Sequence, residues 1–185
     1  MSENVNNIRK KDTFFTPKRI SRMAILIALS GVGAFVKIPS PGGDLGIDSA
    51  PGYFAGMVKK WDWKEAQIIG MFARLLAAWV VGFPFGLPVQ IVWGLFLGGS
   101  MGVVARVPRL KWGLIPGAIA GTLWNGVVFP LLVLPASVLL VSGGGWGPAF
   151  SVGVASLFGA AIASALAITI GMGAHEALAR TEITD

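Results

Sequence analysis

Apolar residues run through this chain in six blocks, separated by short polar or Gly/Pro-rich breaks. The first block covers Arg19 to Ile38, roughly 20 residues and enough for one membrane crossing. The second covers Asp48 to Val58. At about 11 residues it is too short to cross a bilayer of ~30 Å alone, so it is expected to be tilted or partly re-entrant. Pro51 falls in its first turn, where a missing N–H is harmless, and Asp48 is placed to cap it. Further helices are expected over Glu65–Val81, Val89–Val104, Leu114–Leu134 and Ala149–Leu178. Asn125 and Pro130 interrupt the fifth. A glycine-rich loop is expected from Pro135 to Pro148. Gly94, Gly98 and Gly102 stand four apart in the fourth block. Small residues recur at 155, 159, 163, 167 and 171 in the sixth. Such rows let helices approach closely.

Composition turns this pattern into a fold class. Of the 185 residues 54% are hydrophobic and only 13% are charged, about half the usual charged share of soluble domains. The expectation is an all-α integral membrane protein, a bundle of six transmembrane helices with a short or broken second helix. Residues 1–18 read as a basic tail, 19–180 as the membrane domain and 181–185 as a second tail. The first apolar run follows a long polar head without a small-residue cleavage site, so it is expected to stay as a span and not to be removed as a signal peptide.

The net charge of +6 changes the picture only through its placement. Arg9, Lys10, Lys11, Lys18, Arg19, Arg22, Lys59, Lys60, Lys64, Arg106, Arg109, Lys111 and Arg180 all fall on the side of the termini. By the positive-inside rule both termini are cytoplasmic. The charge orients the protein, and no nucleic-acid partner is needed to explain it. The exceptions are Lys37, at the outer lip, and Arg74, near mid-membrane.

Arg74 is the residue with the strongest chemical implication. A central arginine costs about 2.5–3.5 kcal/mol on insertion scales, so it must face a partner or a wet cavity. It either pins helices together or contacts a ligand. Asp44 and Asp48 are the acids of the outer half, as turn or cap residues or as ligand contacts. Lys37 either snorkels to the surface or faces the same ligand. Asn125, a polar amide in an apolar helix, needs a partner, and Gln90 joins the set. Trp79, Trp93, Trp124 and Trp146 form either an interfacial belt or a stacking wall for a flat heteroaromatic ligand. The candidate ligand contacts are thus Lys37, Asp44, Asp48, Arg74, Trp79, Gln90, Trp124 and Asn125. His175 and Glu176 read as interfacial. No catalytic set, metal site or cofactor is expected: there is no cysteine and one histidine. The glycine run after Ser142 lacks the Lys-[Ser/Thr] of a phosphate loop, so the chain does not power transport by itself.

Three segments carry a resemblance. Arg22-Met-Ala24-Ile-Leu-Ile-Ala28 follows the basic head. Asp48-Ser-Ala-Pro51-Gly-Tyr-Phe-Ala55-Gly56 opens the second helix, with two residues between the acid and the proline. Gly82-Phe-Pro-Phe-Gly-Leu-Pro88 follows the third. Over its full length the chain resembles a substrate-binding S component of an energy-coupling factor (ECF) vitamin transporter, with features of the subgroup linked to cobalamin-precursor (α-ribazole) salvage. The resemblance implies a non-catalytic receptor that holds a vitamin or precursor in an outward cavity. That cavity would be built from the first loop, the outer halves of helices 4 to 6 and the third and fifth loops. It implies partners: a transmembrane coupling subunit, met by Ala24 and Ala28, and two ATPases. Toppling in the membrane would release the ligand inside. The competing readings are a stand-alone carrier or channel and, on weaker grounds, a membrane enzyme. A carrier would be expected to show internal repeats or more mid-depth charges.

Overall fold

A computed structural model describes residues 14–39, 45–82 and 86–178. Six helical rods are present among them. Helix α1 is Pro17–Gly33, α2 is Ala50–Met57 and α3 is Trp63–Val81. Helix α4 runs from Leu87 to Trp112 with a π-helical turn at Gly94–Gly98. Helix α5 runs from Leu114 to Ser142 with a longer π-helical stretch at Trp124–Val133, and α6 is Trp146–Leu178. A two-residue ribbon, β1 (Lys37–Ile38) against β2 (Leu45–Gly46), is antiparallel with Lys37 opposite Gly46.

Three rods are long and apolar enough to cross a membrane: Leu87–Val107, Leu114–Val141 and Trp146–Leu178. Helix α1, with 17 residues, is about 26 Å long, close to the ~30 Å of a bilayer core. The surface is that of a protein in lipid. Leu140, Phe158, Phe35 and Trp79 are all more than 70% exposed, a pattern water would not tolerate over so many large side chains.

Local sequence explains the helix ends, including those that differ from expectation. Thr16 caps α1, its hydroxyl accepting from the Arg19 N–H at 3.3 Å, and Pro17 follows in the first turn. The helix stops at Gly33 and not at Ile38. Pro39 biases Ile38 toward extended backbone, and Lys37–Ile38 pair with the ribbon instead. Asp48 does not cap α2. Ser49 holds the cap position, and Asp48 lies one residue earlier, free to face the bundle interior. Asp62 caps α3 through the Lys64 N–H at 3.0 Å, and Gly82 ends it at φ +92°.

Helix α5 corrects the sequence reading most. It continues through Pro135 to Ser142, so the loop from Pro135 to Pro148 shrinks to residues 143–145. Pro130 sits inside the wider π-helical stretch, where the i→i+5 pattern relaxes the carbonyl clash a proline makes in an α-helix. Pro135 takes the second place of the following α-segment, in its first turn. Gly143, at φ +61°, ends the helix.

Helix α2 is the hub. Every residue from Ala50 to Met57 except Pro51 is buried, and the helix contacts all five other rods. A short helix suits this place because no part of it must reach lipid at both faces. The glycines of α4 pack on α3: Gly94 beside Leu75, Gly98 against Gly70 and Gly102 against Ala66. The small-residue ridge of α6 also turns inward. Gly159, Ala163, Ala167 and Gly171 are buried, with Gly171 against the backbone of Ala50 and Phe54.

At one end of the bundle Glu65, fully buried, takes a forked salt bridge from Arg22, whose Nε donates at 2.5 Å, and a second contact from Arg19 at 3.3 Å. The Arg22 guanidinium lies 4.4 Å over the Trp61 ring. This ties α1 to α3. Removing the charge while keeping the shape, by Glu65→Gln, should lower stability by about 1.5–3 kcal/mol, the worth of charge-assisted bonds. Thermal unfolding in detergent followed by tryptophan fluorescence checks it. An unchanged midpoint would mean that the cluster only decorates the bundle end.

Candidate functional site

The opposite end of the bundle encloses a cavity of about 270 Å³. Five helices and the ribbon contribute to it: the end of α1 at Ala34, Lys37 and Gly46 of the ribbon, Asp48 and Ser49 before α2, and residues of α3, α4, α5 and α6. Only in a folded bundle do these come together.

Arg74 is its electrostatic centre. Its Nη2 donates to Gln90 Oε1 at 3.2 Å, and its Nη1 stands 3.9 Å from Asp48 Oδ2. That second distance is an ion-pair separation but too long for a hydrogen bond. The guanidinium lies 5.3 Å over the Trp93 ring. Its Nε is buried without a hydrogen bond, a condition that costs about 1–3 kcal/mol and gathers at functional sites. Trp93 is held in turn. Its Nε1 donates to Ser137 Oγ at 2.6 Å, and the Phe129 ring stands perpendicular to it with centroids 5.4 Å apart. One wall is therefore aromatic and apolar (Trp93, Phe129, Pro130, Leu134), and it adjoins the charged pair.

The residues singled out in the sequence separate into groups. Lys37, Asp48, Arg74 and Asn125 line the cavity. Asn125 is also a hydrogen-bond neighbour of the Tyr53 hydroxyl, which donates to the Gly121 carbonyl at 2.9 Å. Gln90 is fully buried and holds Arg74 from behind, so it positions the arginine and does not line the space. Trp79 is 71% exposed on the outside of α3, where it fits the interfacial belt and no stacking wall. Trp124 also lies away from the cavity: it donates to Ser100 Oγ at 2.7 Å and stacks on Phe96. Trp146 is 66% exposed. Asp44 and residues 83–85 of the third connection lie outside the described residues, as do the basic head before residue 14 and Arg180.

Sequence reasoning missed Ser49, Ser156, Ser164, Met101 and Phe129 as lining residues, and it passed over Trp93 in favour of Trp79 and Trp124. The α6 lining residues Ser156, Ala160, Ala163 and Ser164 recur at helical spacing beside the small-residue ridge, a signal that was there to find. Among the described residues the fifth connection, 143–145, does not line the cavity, while α3 contributes the expected Arg74 together with Ala77 and Val81.

A cavity of this size, with a polar pair, an aromatic wall and no cluster of metal-ligating side chains among the described residues, is built to hold a small molecule. A family model described as "ECF transporter, substrate-specific component" matches residues 18–171. The chain belongs to this family. As an S component it is a substrate-binding transport subunit, and the family associates with ECF coupling and ATPase subunits. No curated protein and no solved structure gives a match.

Proposed function

We propose that this S component is the high-affinity receptor of an ECF-type importer in a prokaryotic plasma membrane, and that its cargo is a vitamin or vitamin precursor with a flat heteroaromatic ring, of the cobalamin-precursor (α-ribazole) or riboflavin-like kind. The carrying observation is the juxtaposition of Asp48 and Arg74 with the Trp93–Phe129 wall in one cavity. Lys37 stands at the mouth, and Asn125 faces the ligand from α5. Asp44, outside the described residues, is kept as a proposed ligand contact on its sequence position alone.

Six crossings with both termini in the cytoplasm agree with the clustering of Arg19, Arg22, Lys59, Lys64 and Arg106 near one end of the bundle. The Arg106 guanidinium there donates to the Lys59 carbonyl at 3.1 Å. The membrane domain on this reading is 19–180, with cytoplasmic tails 1–18 and 181–185. Ala24 and Ala28 are exposed on α1 among Ile20, Ile25 and Leu29, and they would meet the coupling subunit. The small ridge of α6 is spent inside the bundle and is not part of that face. Toppling toward the two ATPases would then carry the loaded cavity inward.

The test is to purify the protein from cells grown in rich medium, denature it and identify any co-purified molecule by mass spectrometry. A stoichiometric heteroaromatic vitamin or precursor is expected. An ion or solute moved by the purified protein alone in liposomes would overturn the reading in favour of a carrier. In the same preparation Ala24→Trp should leave the bound ligand in place and abolish co-purification with the coupling subunit. An assembled mutant would remove Ala24 from the docking face.

A further inference from the structure

The Asp48–Arg74 pair restricts the chemistry of the ligand, given the receptor reading above. Both members line the cavity, and the 3.9 Å between Nη1 and Oδ2 is too long for a hydrogen bond between them, so neither satisfies the other. The pair is also self-compensating. A ligand carboxylate drawn to Arg74 would sit within a few ångströms of the Asp48 carboxylate, and a ligand cation drawn to Asp48 would face Arg74. Neither ion gains without opposing a like charge in a site of low dielectric. A neutral edge with a donor beside an acceptor satisfies both members and leaves their attraction intact.

The position of the edge is also constrained. Gln90 and the Trp93 ring hold the guanidinium in place, so the polar edge adjoins the aromatic wall of Trp93 and Phe129. A flat ring packed on one of these two aromatic side chains presents its rim to the pair. We infer that the cavity reads a cyclic amide or ureide on the rim of a flat ring, its N–H donating to Asp48 and its C=O accepting from Arg74. The geometry disfavours a carboxylate, and it gives no role to a ring that lacks a carbonyl. Within the proposed cargo this selects a pyrimidinedione-bearing, riboflavin-like ring over a benzimidazole nucleoside.

The experiment uses the full chain in detergent, freed of any co-purified ligand by dialysis, and three probes that share one bicyclic ring. Benzimidazolone carries the cyclic ureide. Its N,N′-dimethyl derivative keeps the carbonyl and loses both donors. Benzimidazole-2-carboxylate carries the anion. Affinities come from thermal-shift titration. Benzimidazolone is expected to bind, methylation to weaken it about tenfold or more because Asp48 is left without a donor, and the carboxylate not to bind. Asp48→Asn should weaken benzimidazolone and leave the dimethyl derivative unchanged. Equal binding of the methylated probe, preference for the carboxylate, or silence of all three would overturn the edge assignment. The receptor reading has its own readout, the co-purified molecule. A stoichiometric benzimidazole nucleoside would uphold the receptor and overturn the ureide edge. A stoichiometric ring bearing that edge would uphold both.

Discussion

Gly70→Ala is expected to break the seam between α3 and α4 and to lower stability more than any other single-methyl change in the bundle. A Cβ built on Gly70 would stand 1.5 Å from the Gly98 carbonyl oxygen, and one on Gly98 would stand 2.0 Å from the Gly70 oxygen. The two backbones touch, and no flexible side chain is there to move aside. One rod must shift by more than an ångström, and the shift passes along the whole glycine row. Overpacking costs typically 1–3 kcal/mol and more where backbone meets backbone. The site is affected too. Arg74 lies one turn beyond Gly70 on the same face of α3, and its partners Gln90 and Trp93 lie one to two turns before Gly98 on α4. Separating the rods pulls these apart, so ligand retention should fall with the unfolding midpoint. Gly173→Ala is the control. Its Cβ meets nothing within 4 Å, and alanine in a helix gains up to about 1 kcal/mol over glycine. Its midpoint should hold or rise. Tryptophan fluorescence on heating, with size exclusion, measures both. An unchanged midpoint for Gly70→Ala would show the crossing to be looser than the geometry described.

How much of this was legible in the sequence depends on what each feature requires. The row Gly94, Gly98, Gly102 was visible because it repeats within one helix. Its counterpart Gly70 was not, since one glycine in α3 gains meaning only once the rods are placed side by side. Arg74 stood out because a charge inside an apolar block is costly wherever the helix faces. The tryptophans differ: their role depends on the rotation of each helix, and charge carries no information about that. The π-helical segments add a second obstacle. An i→i+5 turn takes one residue more than an α-turn, so a face followed at α-helical spacing drifts away from the true one. In α4 the i+4 row Trp93, Leu97, Met101 still lines the cavity across the short π turn. In the longer π stretch of α5 the lining residues Asn125, Phe129, Pro130 and Leu134 include the adjacent pair Phe129–Pro130, a step that an i+4 reading does not supply. Trp124, one place before Asn125, is carried to the Ser100 side. Asp48 misled for a local reason: an acid three residues before a helical proline looks like a cap, but Ser49 occupies that position and leaves the acid for Arg74.

Arg74→Ala is expected to abolish ligand retention and to destabilise the protein, and a second substitution separates the two effects. The single change leaves Asp48, only 8% exposed, without its cation. Removing one partner of a buried pair costs up to about 3–5 kcal/mol, most of it the penalty of the charge left behind. Neutralising that charge as well, in Arg74→Ala/Asp48→Asn, should recover much of the lost stability, because the double variant contains no uncompensated ion. Binding should not recover, since the donor that faces the cavity is still missing. The two readouts, unfolding midpoint and ligand stoichiometry by mass spectrometry, then move in different directions across the cycle. If the double variant regains its stability and still carries its ligand at full stoichiometry, Arg74 is a pin between α3 and the loop before α2, and the recognition of cargo falls to the aromatic wall. If stability returns while the cavity is empty, the arginine is kept for the ligand. The cost of holding a charge in an apolar helix is then borne for binding, because a neutral pair of side chains would have held the rods as well.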